Sequence, residues 1–130
     1  MTPEQIADAN SVLSELVRLE KEFDSLSEQS DPATLDRASV PALQARLTRL
    51  KQELKSAAKH ETISGRRELP SEFERCFYGP AVQQASANFR LPTNANPFSR
   101  SWASELYSSR GDISHFRFSL EKLIQEKTGA

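Results

Sequence analysis

The chain has 130 residues, with 17 lysines and arginines against 18 aspartates and glutamates and a formal net charge of -1. That balance gives no global attraction to nucleic acid or to an acidic membrane, so either would need a local basic patch. One cysteine, Cys76, excludes an internal disulfide framework and a multi-cysteine zinc site, and it reads as a small part-buried apolar side chain in a reducing compartment.

The length suits one domain, residues 1–130, whose core needs most of the chain. Its apolar runs are too short to span a bilayer. The opening Met1-Thr2-Pro3-Glu4 lacks the basic flank and apolar stretch of a secretory signal, so the expectation is a cytoplasmic protein without a membrane partner.

Thr2 can cap a first helix, with Pro3 at its first position and Gln5 placed for a capping box. Ala9, Val12, Leu16, Leu19, Phe23 and Leu26 recur at spacings of three and four, predicting a helix from Pro3 to about Glu28. Ile6, Leu13 and Val17 widen its apolar stripe. Asp31-Pro32 breaks it and starts a short turn through Leu35. Ser39 can cap a second helix with Pro41 in its first turn, and Val40, Leu43, Leu47, Leu50, Leu54 and Ala57 carry its apolar face to about His60.

The two helices carry opposite charge. Seven acids and two bases between Pro3 and Gln29 sum to -5, and five bases with one acid between Val40 and His60 sum to +4. A short linker then predicts an antiparallel, coiled-coil-like two-helix hairpin over residues 1–64, in which charge selects the partner and leucines supply the stability.

Residues 65–130 read differently, as an aromatic-rich half of shorter helices and loops packing on the hairpin; nine of the ten aromatics lie after residue 60. Ser71 and Glu74 form a capping box for a short helix to Gly79, and another runs to about Ala87. Arg90 to Ala95 is irregular chain. Asn96 can cap a helix that begins at Pro97, presents Phe98, Trp102 and Leu106 on one face and stops at Gly111. Asp112 caps the last helix, with Ile113, Phe116, Leu120, Leu123 and Ile124 on its face. Residues 82–91 and 113–120 also alternate with period two, which fits a small pair of strands.

Two helices cannot bury the whole stripe of the first, so the aromatic half must wrap over it or a second copy must pack on it; a homodimer is expected in addition to partial wrapping. The fold class is thus mainly α.

No constellation of residues points to catalysis. His60 and His115 have no ligand spacing to another histidine, to Cys76 or to paired carboxylates, so no metal and no cofactor is expected. The four glycines fall at predicted helix boundaries and form no phosphate loop. Arg110-Gly111-Asp112 is explained as a last-turn base, a helix-ending glycine and a cap.

Two surfaces remain. Phe73, Phe77, Tyr78, Phe89, Phe98 and Trp102 are either core or the anchors of a partner-binding surface. Lys55, Lys59, Arg66 and Arg67 form the one basic patch, interrupted by Glu61 and Glu68 and without interleaved aromatics. The expected function is a non-catalytic protein-protein interaction module, an adaptor, small regulator or anti-activator, with a nucleic-acid-associated regulator as the alternative.

Overall fold

The computed structural model describes residues 2–58, 61–62, 65–66 and 96–129. They are mainly helical. Three long helices, α1 (Pro3–Gln29), α2 (Val40–Ala58) and α3 (Arg100–Thr128), share one apolar core, and a two-residue antiparallel ladder joins β1 (Glu61–Thr62) to β2 (Gly65–Arg66). The expected short helices over residues 71–87, the strand alternative at 82–91 and Cys76 lie outside the described residues.

α1 begins as its sequence predicts. The Gln5 amide donates to Thr2 Oγ1 at 3.1 Å and the Thr2 amide donates to Gln5 Oε1 at 2.9 Å, which satisfies two of the amides left open at a helix start. The predicted residues Ala9, Val12, Leu16, Leu19, Phe23 and Leu26 are all buried. Asp31 closes the turn that follows: its Oδ1 accepts from the Ala33 amide at 3.0 Å and its carbonyl accepts from Leu35 at 3.0 Å.

The start of α2 differs from expectation. Asp36, not Ser39, is the capping side chain, accepting from the Ala38 amide at 3.1 Å at the head of a 3-10 turn (Arg37–Ser39) that runs directly into α2. Leu43, Leu47, Leu50, Leu54 and Ala57 are its buried face. Arg46 near its start meets the carboxylate of Glu22 at 2.9 Å and Gln29 Oε1 at 2.7 Å; Glu53 meets Arg18 at 3.5 Å. The hydrogen bond from Arg46 is the main reason the Glu22 carboxyl titrates below the ordinary glutamate range.

α3 departs furthest from the sequence reading. It is one helix where two were expected, and Gly111 and Asp112 lie inside it. A mid-helix glycine costs only about 1 kcal/mol relative to alanine. Against that, Trp102, Leu106, Ser109, Ile113, Phe116 and Leu120 form one unbroken buried face across Gly111. Burying a large apolar side chain contributes roughly 1.5 to 3 kcal/mol, so continuing the helix wins. The strand alternative at 113–120 fails on the same face: Phe116 and Leu120 are buried while Phe118 is 66% exposed, so period two is broken.

The helix also starts later than expected. Asn96 accepts the Phe98 amide on its side chain and the Ser99 amide on its carbonyl, both at 2.9 Å, closing a turn that leaves Ser99 at the cap position and Phe98 off the helix.

α1 packs on both other helices, more extensively on α3. Glu20, on the buried side of α1, binds Arg117 and, at 3.0 Å, Arg110; Arg110 also holds Asp24 at 2.9 Å. Arg117 in turn binds Glu121 at 2.9 Å, and these two carboxylates, Glu121 first, raise the arginine's affinity for its proton. Lys51 is fully buried and bonds the part-exposed Glu105, joining α2 to α3.

Two outcomes test this arrangement. Gly111 faces open space, with nothing within 4 Å of where a Cβ would sit, so Gly111→Ala should raise the unfolding free energy in urea by about 1 kcal/mol; a loss of stability would mean that the helix does break there. Glu105→Ala should cost about 3 to 5 kcal/mol because it strands a buried ammonium. Lys51→Met should cost much less, since the 26% exposed Glu105 side chain can turn to solvent. Equal losses would contradict the buried position of Lys51.

Candidate functional site

The end of α1, the turn after it and the start of α3 enclose an open groove of 590 Å³. Its position follows from the local chemistry already described. Asp31 ends α1 and folds the chain back, while the Asn96 turn delays α3 to Arg100, leaving Pro97 and Phe98 to flank the gap.

The apolar walls are Phe23, Pro32, Pro97, Trp102 and Leu106, and the rim carries two exposed rings, Phe98 (45%) and Tyr107 (84%). Such a concave, mainly apolar surface with aromatic edges is the usual setting for ligand or partner contacts. Arg37 reaches over from the 3-10 turn, its guanidinium 5.5 Å from the centroid of the Phe98 ring, within range of a cation–π contact.

Most polar groups in the groove are already engaged. Asp24 is held by Arg110, Asp31 Oδ1 accepts a backbone amide, and Ser30 Oγ donates to the Leu26 carbonyl at 2.6 Å. Ser99 Oγ donates to the Asn96 carbonyl at 2.7 Å instead of capping α3. Trp102 Nε1 is buried without a hydrogen-bond partner. No histidine, cysteine or lysine is among the described residues that line the groove, and no described cluster of histidine, cysteine, aspartate or glutamate could hold a metal ion.

Of the six aromatic residues singled out from sequence, the structure brings Phe98 and Trp102 together here, but in different roles: Trp102 is 2% exposed and forms the floor, while Phe98 stands at the rim. Phe73, Phe77, Tyr78 and Phe89 lie outside the described residues. So do Lys59, His60 and Arg67 of the basic segment, and the side chains of Lys55 and Arg66 are likewise not described. His115 is exposed, edge-on to Phe116 at 6.2 Å.

Sequence reading missed Tyr107, Arg37 and Arg110. The signal for Tyr107 was present, since one step beyond Leu106 on a helix points a ring away from the buried face. Arg37 and Arg110 carry no such signal, because their roles depend on which loop and which helix arrive beside them. Arg110, with Gly111 and Asp112 in mid-helix, is committed to Glu20 and Asp24.

No described helix is long and apolar enough to cross a membrane. No protein-family model matches this sequence, and no curated protein or solved structure does.

Trp102 defines the groove's floor, and its substitutions separate packing from hydrogen bonding. Trp102→Phe removes an unpartnered donor along with some apolar area, and should stay within about 1.5 kcal/mol of the parent in urea unfolding. Trp102→Ala should lose about 3 to 5 kcal/mol. Similar losses from both would mean that the indole N–H has a partner.

Proposed function

We propose that this chain is a non-catalytic protein-protein interaction module, an adaptor or small regulator, that seats a segment of another protein in the groove between α1 and α3. The observation that carries the reading is the groove itself: a recess floored by Trp102 with two exposed aromatic rings at its rim. Aromatic side chains of this kind dominate binding energy at interfaces. The carboxylates of the groove are engaged within the fold, Asp24 with Arg110 and Asp31 with a backbone amide, as fits a preformed binding surface.

α1 and α2 form the scaffold of this module, read as an antiparallel coiled-coil-like hairpin. The pairs Glu22 with Arg46 and Arg18 with Glu53 support that direction. A second copy is not required to bury α1, because α3 supplies the missing cover; Val17, at 37% exposure, is the main part of the stripe left open. The free surface is therefore assigned to a different protein rather than to self-association.

A photocrosslinking side chain at Ala103, which lines the groove and is exposed, should trap a discrete partner in native lysate, while the same group at the exposed Ser14 of α1 should not. Phe98→Ser combined with Tyr107→Ser should abolish the trapped band yet change stability by less than about 1 kcal/mol, as surface substitutions do. Trapping that is equal at both positions, or unchanged by the double variant, would defeat the proposal.

A further inference from the structure

The groove lies between the end of α1 and a part of α3 that stops at a weak joint. We infer that α3 opens in two units: its N-terminal part, residues 100–110, comes away from α1 as one step with the break at Gly111, and this motion opens and closes the groove. The inference goes beyond the binding reading and does not rest on it.

Three observations meet at the same point of α3. The first is where the lining of the groove stops. One side is lined by residues between 23 and 32, in α1 and its closing turn, while every lining residue on the other side, between 97 and 110, precedes Gly111. The second is the backbone. Glycine is the poorest helix former after proline, and Gly111 faces open space, so no contact at this position offsets that weakness. Asp112 follows it and is a favoured cap, so a break at Gly111 leaves the C-terminal part of α3 with a residue suited to start a helix.

The third observation is on the buried face. Ser109 is fully buried and its hydroxyl has no hydrogen-bond partner. It interrupts the apolar series where Trp102 and Leu106 give way to Ile113 and Phe116. A buried hydroxyl without a partner regains hydrogen bonds to water when its segment opens, so Ser109 favours opening.

The closed form is the ground state. Trp102 and Leu106 are buried in it, Glu105 meets the buried Lys51, and Arg110 clasps Glu20 at 3.0 Å and Asp24 at 2.9 Å, beside the joint. Once these contacts part, residues 100–110 are too short to stay helical, because isolated helices below about 12 to 15 residues are marginal in water. Detachment and unwinding therefore occur together. The rest of α3 keeps Ile113, Phe116 and Leu120 in the core and Arg117 on Glu20. Such an opening lies below global unfolding in free energy, the range from which moving parts of binding sites are drawn.

Amide hydrogen exchange on the full chain, in urea below the unfolding transition, tests this residue by residue. The amides of residues 104–114 bond to carbonyls of residues 100–110, so they should share one protection factor, at least about tenfold below that of residues 118–121. Leu120→Val should lower protection of residues 118–121 about fivefold and leave residues 104–114 unchanged, since their opening does not expose residue 120. Leu106→Val should lower both sets, because residue 106 is exposed in the local and the global opening alike. A protection factor that climbs smoothly from residue 104 with no step after 114, as end fraying gives, would overturn the inference. So would a single value along α3 that both variants lower equally. Either result leaves the groove as a recess of fixed width, and the binding reading stands.

Discussion

The structure depends on one constraint, the width of the apolar stripe on α1. α2 alone leaves part of it uncovered, so α1 needs cover from two sides, and α2 and α3 provide it. Everything that positions the groove follows. α3 must lie along α1 for most of its length, and where α1 ends at Gln29 and α3 begins at Arg100, the cover runs out and the walls remain. The same demand overrides Gly111, because a break there would interrupt the face that α1 requires.

Charge then decides how the helices meet. The acids of α1 divide between two partners, Glu22 toward Arg46 of α2, Glu20 and Asp24 toward Arg110 and Arg117 of α3. Exposed pairs of this kind contribute little stability, but a mispaired arrangement would bury Glu20 or Lys51 without a counter-charge, at a cost of several kcal/mol. Penalising the wrong register is therefore their main effect. Lys51 is the clearest case, since its ammonium sits among core side chains and is tolerable only where Glu105 reaches it.

The groove inherits its character from these same elements. Trp102 is held in place as a core residue, so its ring presents a rigid floor, while Phe98 and Tyr107 fall outside the buried face and stay at the rim. Rigid floor and exposed edge are the conditions under which aromatic contacts carry binding energy without a large ordering cost.

Much of this was legible in the sequence for a physical reason. Helical periodicity records burial directly, so the buried residues of α1 and the faces of α2 and α3 could be named from spacing, as could the Thr2 cap, whose partners lie three residues apart. Whatever depends on neighbours distant in the chain was not. Gly111 reads locally as a stop, and only the continuous face presented to α1 makes it part of a helix. Arg110 reads locally as a last-turn base, yet its partners lie 86 and 90 residues away at Asp24 and Glu20. Lys51 reads as one more exposed base, until Glu105 and the core enclose it. Local sequence determined which faces must be hidden and where two of the turns close; the tertiary structure alone decided which helix hides which face, because that choice is made by long-range packing and by the penalty for burying an unpaired charge.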